Sequence, residues 1–214
     1  MSQVKGLCVM DVDGILILEE VIDLLGREVG REEEISQITS QAMRGELDFE
    51  SSLRKRVSLL EGLPVSIFDK VFNTIHLTPN AQKFISILQK NGILVGRVSG
   101  GFTPIVERLA KSLGIAYFSA NQLEVKDGLL TGKLVGQIIN PQVKKETLEQ
   151  WRKELKLSKE RTIAIGDGAN DLLMLKSAGL GIAFCAKEVL KQEIPNHVDK
   201  RNFLEVLPLM DCLE

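Results

Sequence analysis

Two regimes of apolar spacing divide the chain. Residues 6–18 read GLCVMDVDGILIL, an apolar run broken by Asp11 and Asp13, with Gly14 directly after. Leu7 to Met10 read as a strand buried on both faces. From Glu19 to His76 helical periodicity takes over. Val21, Leu24 and Leu25 form a short apolar stripe, and a polar helical stretch, Glu32–Arg44, ends at Gly45. Asp48 is placed to cap a helix running to about Leu60, on which Phe49, Leu53, Arg56 and Leu60 share a face. From Leu77 the pattern alternates. Thr78-Pro79 opens a helix closing at Gly92. Ile93–Val98 is a strand, with Arg97 inside its apolar run for no reason the pattern supplies. Ser99-Gly100-Gly101 follows, then a helix from Thr103-Pro104 to Gly114, and a short strand over Ala116–Ser119. Leu123–Ile138 alternates around Asp127-Gly128, a hairpin signal. Asn140-Pro141 starts a helix to about Leu155; Thr162–Ile165 is a strand, Asp171–Ala178 a helix and Gly181–Phe184 a strand. A last amphipathic stretch, Phe203–Met210, interrupted by Pro208, packs as a short helix.

Strands alternating with helices predict an α/β fold, a Rossmann-like open parallel sheet wound on both faces. In such sheets ligands bind beyond the carboxyl ends of the strands. Asp11, Asp13, Ser99 and Asp167 each follow an apolar strand run, so this logic gathers them at one edge. Residues 16–76 leave the sheet immediately after the aspartate pair and are placed to cover that edge. The expected organisation is a core of residues 1–15 and 77–214 with a helical insertion at 16–76.

Composition narrows the picture. At 214 residues and 44% hydrophobic, the chain is sized for one core domain with a modest insertion. It can bury roughly 70% of its unfolded surface without staples. Lys+Arg 27 against Asp+Glu 29 gives net −2, which argues against a nucleic-acid partner. Three cysteines, Cys8, Cys185 and Cys212, have no metal or redox spacing. Cys8 and Cys185 lie in apolar runs and read as buried thiols, Cys212 as exposed. A cytoplasmic location is the natural expectation, with no targeting segment or membrane span visible. A monomer and a homodimer remain equally open.

The candidate chemistry is acidic. Residues two apart on a strand point the same way, so Asp11 and Asp13 face one spot. Taken alone, the pair also fits a solvated Asx-turn. A second cluster, IGDGAND at 165–171, adds Asp167, Asn170 and Asp171. Four gathered carboxylates would repel by about 4 kcal/mol per pair at about 4 Å. Oxygen ligands without histidine or cysteine favour Mg²⁺ over zinc. Ser99-Gly100-Gly101 before a helix start suits a phosphate cradle or a plain loop. Lys144 suits a phosphate neutraliser or an ordinary surface lysine, with Lys145 as its rival. Arg56 reads as a snorkelling arginine or as one held over a pocket to pair with a carboxylate.

Together, Asp11-Val12-Asp13-Gly14, Val98-Ser99-Gly100-Gly101, Lys144 and Gly166-Asp167-Gly168-Ala169-Asn170-Asp171 resemble the four motifs of the haloacid dehalogenase superfamily of phosphotransferases. Within it, the chain resembles the phosphoserine phosphatase family over nearly its whole length. Glu20, Met43, Phe49 and Arg56, with the run SLRKRVSLL at 52–60, stand where that family binds substrate. The resemblance implies hydrolysis of phosphoserine through an aspartyl-phosphate. Asp11 would be the nucleophile and Asp13 the acid and then the base. Asp11, the Asp13 carbonyl and Asp167 would hold Mg²⁺, with Asp171 supporting them. Ser99, Gly100 and Lys144 would hold the phosphoryl oxygens, with Asn170 orienting them. Arg56 would take the serine carboxylate and Glu20 the amino group. Two positions depart from the family pattern: Gly14-Ile15 replaces the common Ser-Thr or Gly-Thr, and Arg97 replaces an apolar residue.

Two rival functions share most of these residues. A phosphotransferase handing the phosphoryl group to another alcohol, such as homoserine, has the same first half-reaction. A non-catalytic phospho-accepting signalling module also uses an acidic cluster, a Ser/Thr and a Lys. It needs neither Asp13 nor a helical insertion.

Overall fold

The computed structural model describes residues 4–43 and 46–210, with Met43 described by its backbone alone. The expected helix end at Gly45, the side chain of Met43 and Cys212 therefore lie outside the described residues. Alternation in the sequence becomes a seven-stranded sheet of order β4-β3-β2-β1-β5-β6-β7. Its strands are β1 (Gly6–Met10), β2 (Ile93–Phe102), β3 (Tyr117–Lys126), β4 (Leu129–Val135), β5 (Thr162–Gly166), β6 (Leu180–Phe184) and β7 (His197–Val198). Every neighbouring pair is parallel except the β3–β4 hairpin. Strand order reverses at β1, which pairs with β2 on one side and β5 on the other. That is the switch point where an open sheet leaves a crevice.

Period-two alternation splits β1 between two apolar layers. Leu7 and Val9 join one cluster with Leu148, Trp151 and Met174, whereas Cys8 and Met10 join the other with Phe84, Ile105 and Phe203. The first layer is covered by α7 (Pro141–Glu154) and α8 (Leu172–Ser177), the second by α5 (Ala81–Lys90) and α6 (Thr103–Ser112). Short helices α9 (Glu188–Glu193) and α10 (Leu207–Met210) complete the core. No described helix is long and apolar enough to cross a membrane.

Between β1 and α5 the chain forms α1 (Val21–Glu28), α2 (Glu32–Met43), α3 (Phe49–Ser58) and α4 (Ile67–Phe72). The cap at Asp48 forms as expected, its Oδ1 accepting from the Glu50 and Ser51 amides at 3.0 Å. Entry and exit of this segment run antiparallel, joined by an Ile17–Leu77 bridge. Leu18 N–H donates to the His76 carbonyl at 3.0 Å and Thr78 N–H to the Leu16 carbonyl at 2.9 Å.

Several local expectations are corrected. Thr78-Pro79 does not cap α5: the cap residue is Asn80, in the left-handed region at φ 62, and the Thr78 hydroxyl instead donates to the Ile15 carbonyl at 2.5 Å. By contrast, α6 does open at Thr103-Pro104 as expected. β2 runs on through Ser99-Gly100-Gly101 to Phe102, and β3 extends well past Ser119 into the hairpin. The hairpin turn has Asp127 at φ 52 and Gly128 at φ 77, as a type I′ turn requires. Pro208 stands inside the first turn of α10, where its missing N–H costs nothing. The short α9 and β7 carried too little periodicity to be predicted. Cys8 is buried, but Cys185 is only half-buried.

Candidate active site

β1 ends at Met10, and the next carboxylate, Asp11, stays buried beneath the crevice. Its Oδ1 accepts from the Val12 N–H at 2.7 Å, and its Oδ2 lies 2.7 Å from Lys144 Nζ. Lys144 enters from the first turn of α7, which Asn140 caps by accepting from Val143 N–H at 2.9 Å. Fully buried, Lys144 bridges Asp11 and Asp171, with Asp171 Oδ1 also at 2.7 Å. Lys145 is partly exposed and faces Glu149 at 3.9 Å, so of the two lysines it is Lys144 that reaches the acidic cluster.

Asp171 is fully used by the protein. Its second oxygen accepts from the Asp167 and Gly168 amides at 3.1 and 3.3 Å, so it fixes the turn after β5 as well as the lysine. Gly166 is required there, because a Cβ would stand 2.4 Å from Asp171 Cβ. Asp11, Asp167 and Asp171 each bring an oxygen within 4.8 Å of the others. Burial pushes the Asp167 carboxyl up to about 6, helped by Asp171 and Glu20. Burial likewise raises Asp11 to about 7; Lys144 pulls it back, while Asp171 and Asp167 push it further up. Such a cluster suits a hard divalent cation, which would relieve both the desolvation and the mutual repulsion.

Asp13 stands apart from those three. Its Oδ2 accepts from the Val21 amide at 3.3 Å, and its Oδ1 is buried without a partner among the described residues. Burial, then Glu20 and Asp11, raise its carboxyl well above the ordinary range. Across from it, a Cβ on Gly101 would meet Asp13 Oδ2 at 3.1 Å and Ser99 Oγ at 3.0 Å. Ser99 is fully buried and accepts from the Gly101 N–H at 2.9 Å.

The helices of residues 21–72 supply the other wall of a cleft of about 640 Å³. Asp11, Asp13, Gly100, Asp167 and Asn170 line it from below, and Glu20, Phe49 and Arg56 from above. Phe49 lies over Gly100, 3.6 Å from where a Cβ would be. Among the described residues Arg56 makes one hydrogen bond, from Nε to the Ser52 carbonyl at 3.4 Å. Burial lowers its guanidinium, while Glu20, Asp23 and Asp13 hold it up. Glu20 opens into the cleft yet is walled by protein; that confinement, then Asp11 and Asp23, raises its carboxyl. Sequence reasoning missed Lys187, which also lines the cleft and whose N–H donates to the Asp167 carbonyl at 3.1 Å. Its signal was available, since it closely follows the strand run Gly181–Phe184.

Residues 6–179 match the model of the haloacid dehalogenase-like hydrolases. The chain belongs to that family. Phosphoserine phosphatase from Lactococcus lactis subsp. lactis is 53% identical over 209 residues, 98% of this chain and 97% of that protein. A solved phospho-aspartyl intermediate analogue of a phosphoserine phosphatase superposes with TM-score 0.91 at 45% identity, covering 96% of this chain and 98% of that one. A substrate-bound phosphoserine phosphatase complex gives TM-score 0.91 at 44% identity with the same coverage. In this hydrolase the acidic floor of the cleft faces a helical wall that carries Arg56.

Proposed function

We propose that this chain is a phosphoserine phosphatase, with residues 16–76 as a cap over a core of 1–15 and 77–214. The observation that carries the reading is the pairing of an acidic, lysine-anchored floor with a roof bearing Glu20 and Arg56. A phosphate on the floor leaves an amino acid's ammonium to Glu20 and its carboxylate to Arg56. Phe49 lines the same roof, over Gly100. The close relatives named above support the same substrate.

Asp11 attacks phosphorus. The bond from its carboxylate oxygen to phosphorus forms as the phosphorus–oxygen bond to serine breaks. Asp13, whose buried setting favours the protonated form, gives its proton to the leaving serine oxygen. In the second half-reaction Asp13 takes a proton from water, the water oxygen bonds to phosphorus, and Asp11 is released with inorganic phosphate. Lys144 and Ser99 hold the phosphoryl oxygens, and Asn170 and the Gly100 amide help to orient them. Mg²⁺, held by Asp11, Asp167 and the Asp13 carbonyl and backed by Asp171, would offset the phosphate's charge.

The test is phosphate release from phosphoserine, phosphothreonine, a sugar phosphate and p-nitrophenyl phosphate, with and without Mg²⁺, beside Asp11→Asn. A Mg²⁺-dependent preference for phosphoserine, abolished in Asp11→Asn, is expected. Equal turnover of all four would remove Glu20 and Arg56 from recognition. Release only in the presence of an acceptor alcohol would turn the reading to phosphotransfer.

A further inference from the structure

The antiparallel hairpin at the sheet edge packs against α3 in the roof of the cleft, and its backbone is irregular where the two meet. Gln122 and Leu123 pair with Val135 and Leu134, but Val125 and Lys126 pair with Leu130 and Leu129. The register shift leaves Glu124 opposite three residues, Thr131 to Lys133, so β4 bulges. At the centre of the bulge is Gly132, with φ 72. A Cβ on it would stand 3.1 Å from the Ser58 carbonyl oxygen, 3.2 Å from Ser58 Cα and 3.1 Å from Glu61 Cβ. Two of those three contacts are backbone, which cannot swing aside. The last turn of α3 thus rests directly on β4. Beyond it, residues 62–65 hydrogen-bond to the hairpin, with an isolated bridge between Pro64 and Leu129. Gly62 N–H donates to the Leu130 carbonyl at 2.9 Å, Leu130 N–H to Leu63 at 2.8 Å and Val65 N–H to Gly128 at 2.9 Å.

Arg56 is two residues before Ser58 on that helix, and its one hydrogen bond among the described residues is to its own helix. No core side chain bonds to it among the described residues. Its height over the phosphoryl site is therefore set by where α3 sits. We propose that the bulged hairpin is a positioning element for substrate recognition, with Gly132 the residue that lets α3 sit low enough for Arg56 to reach a carboxylate on a bound phosphomonoester. This rests on the phosphoserine reading of the cleft. Gly132 touches no substrate; it acts through the helix.

The hairpin contains its own control. Gly128 has φ 77, as strained for any other residue as Gly132, but a Cβ there meets nothing within 4 Å. Gly132→Ala and Gly128→Ala are compared for thermal stability and for kinetics on phosphoserine and on p-nitrophenyl phosphate, which has no carboxylate. Gly132→Ala is expected to raise KM for phosphoserine at least tenfold, with kcat and the p-nitrophenyl phosphate kinetics within twofold of the native enzyme. Gly128→Ala should lose similar stability and leave both substrates unchanged. If Gly132→Ala does not fold, Gly132→Asn and Gly128→Asn replace the pair, because asparagine tolerates positive φ while still carrying a Cβ. Equal losses on both substrates, equal KM changes in the two variants, or an unchanged KM in a folded Gly132 variant would each overturn the proposal. A native enzyme without preference for phosphoserine would instead refute the reading beneath it.

Discussion

Two fully buried cations, one on helix α7 and one on strand β2, live in opposite surroundings. Lys144, at the carboxyl edge, sits 2.7 Å from both Asp11 and Asp171. Arg97, in the middle of β2, is equally inaccessible, and among the described residues nothing accepts from any of its three guanidinium nitrogens. The first region gathers charge and balances it. The second carries a charge with no visible compensation. Burial alone therefore does not mark a functional cation; the distinguishing feature is opposite charge brought to it from separate elements, here the ends of β1 and β5. Asp11 and Asp171 together push Lys144 further into its charged form than burial pulls it out. Arg97 has burial alone, which lowers its guanidinium to about 9.

The sharpest way to break this comparison is Lys144→Met, which keeps length and removes charge. It strands two buried carboxylates and, on the proposed mechanism, takes a donor from the phosphoryl site. Activity should fall on the order of 10²–10³-fold, and stability by about 3–5 kcal/mol. Phosphate release and urea unfolding measure the two losses. A Lys144→Met protein as stable as the native one would show that the pairing contributes nothing.

Asp171→Asn tests the lysine's second partner. Lys144 keeps Asp11, but the amide cannot accept from Lys144 and from the Asp167 and Gly168 N–H groups with both ends. A stability loss of about 1–3 kcal/mol is expected, with a smaller fall in kcat than for Lys144→Met. A larger fall would make Asp171, not Asp11, the lysine's principal anchor.

The metal is the next lever. Asp167, raised by burial to about 6, and Asp11, raised to about 7, cost stability when they ionise without a cation. A raised carboxyl contributes stability at low pH that is lost as pH climbs through its folded value. Metal-free protein should therefore lose Tm between about pH 4 and 7. Mg²⁺ should restore it most at the upper end, by about 2.7 kcal/mol at a hundredfold excess over its Kd. Calorimetry in chelator and in Mg²⁺ reads this; an equal Mg²⁺ effect at pH 4.5 and 7.5 would place the ion elsewhere.

The compensated region was the legible one. A buried strand run ending in Asp11 and Asp13, and a second ending in Asp167, fixed the edge, because period two and strand direction leave little choice. Asp48 as a cap and Asp127-Gly128 as a turn were legible because their chemistry is local. Lys144 and Lys145 were not separable, since neighbours on a helix differ only by which way about 100° of rotation sends them. Cys185 sits in an apolar run yet is half-exposed, because only packing decides which end of a short strand stays covered. The bulge at Gly132 gave no signal, since its cause is a helix arriving from residues 49–58.

The smallest expected effect falls on the uncompensated cation. Arg97 is the register partner of Met10, on the face of β2 that joins the layer of Cys8, Val95 and Ile105. A leucine there would add to that layer and remove an unpaired buried charge. Replacing buried charge with apolar side chains stabilises proteins by about 1–4 kcal/mol in known cases; Arg97→Leu should reach at least the lower end, with kcat and KM unchanged. The sign with pH follows from the depressed guanidinium. Its cost is complete below about 9 and eases only as pH rises past that value toward the ordinary guanidinium range. The advantage of leucine should thus be constant from about pH 6 to 8 and shrink in strongly alkaline solution. Urea midpoints for both proteins across that range decide the matter. A less stable Arg97→Leu would mean that the guanidinium is compensated after all, and the two cations would then differ only in the visibility of their partners.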